Sequence, residues 1–183
     1  ISGNNSNAPI WISGETSSVR LIGLSLTEGA PNSENTMGGG LSISSADSVF
    51  VKYMKIYGNS GEYGGGISAG NTDYIHINSS IIHNNSASHG GGIMLWDGGG
   101  KAEIVNTIIA NNTVQVDGGG IKVEIDTTII LNTIIVNNQI PSGRYGSGLN
   151  LNMAINDSVL LMNSIITGNK REGETLSYQE FIH

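Results

Sequence analysis

Apolar residues along this chain recur in short bursts, not in long stripes. Segments such as V-F-V-K-Y-M-K-I-Y (Val49 to Tyr57) and Y-I-H-I-N-S-S-I-I (Tyr74 to Ile82) are rich in β-branched and aromatic residues. They alternate apolar and polar positions with a period near two, which predicts strands. No apolar stripe with a 3.6-residue period is sustained anywhere, so no helix is expected.

The bursts belong to an internal repeat, the first thing to settle in any chain that has one. The triplet G-G-G begins at Gly38, Gly64, Gly90 and Gly118, and a degenerate G-S-G begins at Gly146. An aliphatic residue follows each: Leu41, Ile67, Ile93, Ile121 and Leu149. The copies are 26 to 28 residues apart, and Ile10 heads an earlier copy without the glycines. A second marker lies in the back half of each copy. It reads N-T-I-I-A-N-N at Asn106 to Asn112 and N-T-I-I-V-N-N at Asn132 to Asn138, with variants ending at Asn85 and Asn169 and a weaker form at Asn59. Two markers sharing one period point to a solenoid. Leucine-rich repeats have a similar period but need a helical segment in each copy, and none is predicted.

The alternation of GGGI with I-x-x-N, as in Gly90 to Ile93 and Ile109 to Asn112, resembles the G-G-A-I and F-x-x-N motifs of bacterial surface β-helix proteins. These are the polymorphic outer-membrane proteins and related autotransporter passengers. The resemblance covers nearly the whole chain and implies an all-β, right-handed parallel β-helix. Three short strands per coil are expected: one after GGG, one around Ile75 to Ile77 and one around Ile81 to Ile82. About six coils of 26–31 residues make a single domain over 1–183. The first residues, I-S-G-N, stand in the same phase as Ile56 to Asn59, and Leu176, Phe181 and Ile182 look like an atypical last coil. The expectation is therefore a piece of a longer solenoid, in contact with neighbouring coils.

Stacking places equivalent residues in columns about 4.8 Å apart. Ile82, Ile109, Ile135 and Ile166 form one inward column, and Ile77, Ile104, Ile130 and Leu161 another; Ile108 and Ile134 face outward. The recurring Asn59, Asn85, Asn112, Asn138 and Asn169 are expected to point inward as a ladder of hydrogen-bonded amides. GGG supplies positive φ or close backbone approach at a corner. Asp47, Asp73, Asp126 and Asp157 form an acidic column at the turn between the first two strands. Asp at a turn accepts bonds from nearby amides, and carboxylates at coil spacing are also candidates for Ca²⁺. No other cofactor is implied.

The chain carries 15 acidic and 8 basic residues, for a net charge of −7, and no cysteine. That argues against nucleic acid as a partner and excludes disulfides and thiolate metal sites. No run of 18 apolar residues is present to make a membrane-spanning helix. His76, His83 and His89 are close in sequence, but His76 and His83 fall on different strands, and solvent-facing positions suit them better than a metal triad. Arg20, Arg144 and Arg171 stand apart from any acidic cluster. Strict alternation puts Met94, Trp96, Lys122, Glu124 and Asn150 on the outer face of strand one, where a ligand would bind. An indole beside amides and charges suits a sugar ring; the competing reading packs Trp96 beneath the Asp97 to Lys101 insertion.

The expected role is a structural or adhesive segment of a secreted or surface-displayed bacterial protein, with polysaccharide or host-surface molecules as partners. The alternative is a module that binds polysaccharide or degrades it in the manner of pectate lyases, which share the architecture. Such enzymes need long turns walling a cleft, and the turns here are short.

Overall fold

The computed structural model describes residues 1–16, 18–30 and 38–173, with the backbone alone for 15–16 and 97–99. The expected last coil at Leu176, Phe181 and Ile182 lies outside these residues. Among the described residues all the regular structure is parallel strand, wound as a β-solenoid of about six turns with three sheets running along it.

Each sheet takes one strand from each coil. The first holds the long strands Leu41–Lys52, Ile67–Asn78, Ile93–Val105 and Ile121–Leu131. The second holds short segments such as Ile81–His83, Ile108–Ala110 and Ile134–Val136. The third holds Ser60–Tyr63, Ser86–His89 and Thr113–Asp117, with Gln139–Ile140 and Lys170–Arg171 beyond. Ile67, Ile93, Ile121 and Leu149 pair in register, as do Ile82, Ile109, Ile135 and Ile166.

Three strands per coil is the expected number, but their placement differs. The segment after GGG and the segment around Ile75 to Ile77 run on as one bent strand in the middle coils. They separate only in the outer ones, as Ile10–Thr16 with Val19–Ile22 and as Leu149–Leu151 with Ser158–Met162. The bend is made by single residues with positive φ, Ser45 at 59° and Asn71 at 47°. In the Trp96 coil it becomes a bulge, because Trp96 pairs with Gly70 while Lys101 pairs with Tyr74. The third strand lies between the asparagine ladder and GGG, where the chain reads S-G-E-Y or S-A-S-H.

The interior is a stack of aliphatic columns. Ile82, Ile109 and Ile135 are fully buried, as are Ile77, Ile104 and Ile130, while Ile166 and Leu161 in the last coil are half-buried. Ile108, by contrast, is 37% exposed. Fully burying each such side chain contributes roughly 1.5–3 kcal/mol.

The asparagines line one corner of this core, and all five are buried. Asn112 Oδ1 accepts from Asn85 N–H and from Asn85 Nδ2, both at 3.0 Å. Its Nδ2 donates to the Ile82 carbonyl at 3.2 Å and to Asn138 Oδ1 at 2.9 Å. The same four bonds recur at Asn85 and Asn138. Every donor and acceptor of these amides is thus satisfied along the axis, which makes their burial affordable. The preceding residue in each copy, Asn84, Asn111 or Asn137, has φ between 54° and 56° and faces solvent. The N-N pair is one turn residue followed by one ladder residue.

GGG sits against that ladder, which explains why the two markers share a period. Gly90 has φ 62°. A Cβ on Gly92 would lie 2.5 Å from the Gly120 carbonyl oxygen and 2.9 Å from both Asn112 Nδ2 and Ile109 Cγ2. Only a bare α-carbon lets the strand start this close to the asparagine.

A hydroxyl column at the corner between the first two sheets was not anticipated. Ser80 Oγ accepts from Met54 N–H at 3.1 Å and Ser164 Oγ from Thr133 N–H at 3.1 Å, while Thr107 and Thr133 hydroxyls donate back to carbonyls two residues earlier. One core hydroxyl has no such outlet. Thr128 is fully buried on the inner face, aligned with Ala102, and its Oγ1 has no hydrogen-bond partner. Thr128→Val keeps the shape and removes the orphan, so it is expected to stabilise the fold by about 1–2 kcal/mol in denaturant unfolding. A destabilised variant would mean that the hydroxyl has a partner in solution.

Candidate functional site

The outer face of strand one carries the residues expected to meet a ligand, and alternation has the anticipated sense. Ile93, Leu95, Ile121 and Val123 are buried inside; Met94, Trp96, Lys122, Glu124 and Asn150 point the other way. Direction and exposure part company here, however. Met94 is 2% exposed and Lys122 7%, and Ser68 in the same column is fully buried. Trp96, Glu124 and Asn150 are half-buried.

The cover comes from the residue just before each GGG. Tyr63, His89 and Asp117 end their third-sheet strands and lean across the outer face of strand one. The Tyr63 ring stacks on Trp96 with centroids 5.7 Å apart, and on His89 at 5.6 Å. Trp96 folds back over the preceding coil, where a Cβ on Gly70 would lie 2.6 Å from its ring. Its Nε1–H donates to Ser68 Oγ at 3.0 Å. Trp96 is therefore held by Tyr63, Gly70 and Ser68; the Asp97 side chain lies outside the described residues.

One coil further, Lys122 Nζ reaches Asp117 Oδ2 at 3.1 Å and Glu124 Oε1 at 3.0 Å. Asp117 Oδ1 also takes His89 Nδ1 at 2.7 Å, and Asn152 Nδ2 donates to Glu124 at 3.0 Å. Burial pulls the Lys122 ammonium down, but its hydrogen bonds to Glu124 and Asp117 outweigh this and hold its pKa above the ordinary lysine value. Lys122 is thus a charged strut binding the two walls. Trp96, Tyr63, His89 and Glu124 offer the accessible edge of the seam.

A second outward cluster lies past the bend of the same sheet. The Tyr74 hydroxyl donates to Glu103 Oε2 at 2.8 Å and contacts His76 Nδ1 at 3.1 Å, and Lys101 pairs with Glu103 Oε1 at 2.6 Å. Burial first, and then the Glu103 bond, push the Tyr74 pKa up to about 12. Hydrogen bonds from Lys101 and then Tyr74 keep the Glu103 carboxyl below its usual range. Every group in this cluster is partnered within it.

Three of the four histidines are distributed over three sheets, His76 on the first, His83 on the second and His89 on the third, so these do not converge on one ion. Each instead stands beside an aromatic ring of the coil before it, Phe50, Tyr57 or Tyr63. The acidic column is split. Asp47 and Asp73 share a register, Gly100 takes the next place, and Asp126 and Asp157 follow. Asp157 Oδ2 accepts the Ala154 N–H at 2.6 Å, the turn role expected of Asp. Among the described residues no three His, Asp or Glu side chains come together as a metal group.

Compared with protein families, curated proteins and solved structures, the chain matches none. The parallel β-solenoid implied by the resemblance to bacterial surface proteins is present, and no relative brings an activity with it.

Proposed function

We propose that this chain is a structural, adhesive segment of a secreted or surface-displayed protein, with no catalytic step of its own. The observation that carries the reading is the in-register stacking of coil upon coil among the described residues between Ile10 and Arg171. At about 4.8 Å per coil this makes a stiff rod close to 30 Å long. Among the described residues the turns beside the aromatic seam are short, whereas a polysaccharide-cleaving enzyme of this architecture requires long ones that wall a cleft.

The adhesive contact in this reading is the Trp96–Tyr63 edge, an apolar ring surface bordered by His89, Glu124 and Asn152, suited to an uncharged sugar face. Trp11 also fluoresces and is exposed, so the test uses a Trp11→Phe background. A panel of neutral and acidic polysaccharides is incubated with the protein, and the Trp96 emission and the release of reducing ends are followed. The reading expects at least one neutral glycan to shift Trp96 emission, with no cleavage products. Emission indifferent to every glycan removes the contact, and products that accumulate with time overturn the assignment in favour of an enzyme.

A further inference from the structure

The corner between the first two sheets, in the first two coils, holds three of the chain's eight basic residues. Arg20, Lys52 and Lys55 are all exposed there. Arg20 is paired in register with Phe50, and Ile22 with Lys52. Lys52 and Lys55 flank the turn residue Tyr53, which has φ 54° and is 58% exposed.

Each cation lies against an aromatic ring. The Arg20 guanidinium is 4.8 Å from the Phe50 centroid, and Lys52 and Lys55 ammonium groups are 4.8 Å from those of Tyr53 and Tyr57. Tyr57 in turn stacks on His83 at 5.3 Å with planes 4° apart. Among the described residues the ion-paired lysines are Lys101 and Lys122, and none of these three cations has a carboxylate within ion-pair distance. In a chain of net charge −7, these three exposed cations touch rings and, for Arg20, the Ser18 hydroxyl, but no counter-charge.

We propose that this corner is a binding site for an acidic sugar, in which Arg20, Lys52 and Lys55 hold sulfate or carboxylate groups and the exposed Tyr53 ring meets the ring face. Cations supply strong charge-assisted bonds to oxyanions. The exposed ring supplies flat apolar area that a bare phosphate or sulfate ion has no use for. Nucleic acid fits less well: three cations release few counterions, and the acidic remainder of the rod repels a long polyanion. The site is separate from the Trp96 edge, so it goes beyond the adhesive reading and does not depend on it.

Three polymers on one backbone make the test: dextran, dextran sulfate and carboxymethyl dextran, titrated into the whole chain by calorimetry. Binding to either charged polymer, with none to plain dextran, is expected, and which one binds identifies the acid group. The combined variant R20S/K52S/K55S alters only exposed side chains and is expected to weaken that binding about tenfold or more while melting as the unaltered chain does. Tyr53→Ala is expected to weaken it about threefold, and Trp96→Ala to leave it intact. R144S/K170S, which removes two exposed cations at the other end, serves as the control. The proposal is overturned if neither charged polymer binds, if R144S/K170S loses as much as the corner variant, or if Tyr53→Ala binds as well as the unaltered chain. Equally tight binding of duplex DNA at the same corner would overturn it too, in favour of a general polyanion surface.

Discussion

Ile109→Asp is expected to unfold this chain or come close to it, while Ile108→Asp, one residue earlier, leaves it folded. Ile109 is fully buried and stacked in register between Ile82 and Ile135; Ile108 is 37% exposed on the opposite face of the same short strand. A carboxylate at 109 has no partner within the aliphatic columns, and its burial costs several kcal/mol on top of the lost packing. That approaches the whole stability of an ordinary domain, about 5–15 kcal/mol. At 108 the same group reaches water. Thermal melts of the two variants side by side decide it, and equal melting temperatures would mean that the pleat assignment is wrong.

Asn112→Ala is the second large effect. It strips the acceptor from the Asn85 backbone N–H and from one Asn85 Nδ2 proton, and the donor from the Ile82 carbonyl. Each buried group left without a partner costs about 1–3 kcal/mol, so a loss of about 3–9 kcal/mol is expected for the three. Asn111→Gly makes the informative comparison. Asn111 is exposed with φ 54°, a conformation that glycine adopts freely, and this variant is expected to change stability by only a few tenths of a kcal/mol. Urea unfolding of both variants measures the difference. A small loss for Asn112→Ala would mean that water replaces the amide in the core.

These two residues also mark how far the sequence could be read. The inward isoleucines and the ladder asparagines were legible because each repeats at the coil period and each has one chemistry that suits a buried, stacked position. The third sheet was not. Ser60–Tyr63 and Ser86–His89 carry little β-branched character, and they are strands because the asparagine and glycine corners on either side fix their register, not because of local propensity. The continuous middle strand was missed for a related reason. A bend made by one positive-φ residue, such as Ser45, leaves no glycine or proline to announce a boundary or its absence.

The ligand face shows the same limit at the level of side chains. Alternation correctly turned Met94 and Lys122 outward, but it contains nothing about what lies over them. Their cover is set by residues just before GGG: the corner folds Asp117 back over Lys122, while Tyr63 and His89 reach Trp96 and Lys122 from the coil before. The signal available was the position itself: a bulky or charged residue stands just before each GGG, in a place where a tight corner has no room for it inside. The histidines are a simpler case, since a seven- or six-residue spacing in this coil carries each one onto the next sheet.

A buried asparagine ladder pins one coil to the next, and side-chain amide exchange reads that directly. With the asparagine Nδ2 resonances assigned by NMR, the protons of Asn85, Asn112 and Asn138 are expected to exchange with deuterated water only as slowly as the fold opens. Those of Asn84, Asn111 and Asn137, each one residue earlier and exposed, are expected to exchange within the first spectrum. Equal, rapid exchange in all six would contradict the ladder and, with it, the coil register on which every other statement depends.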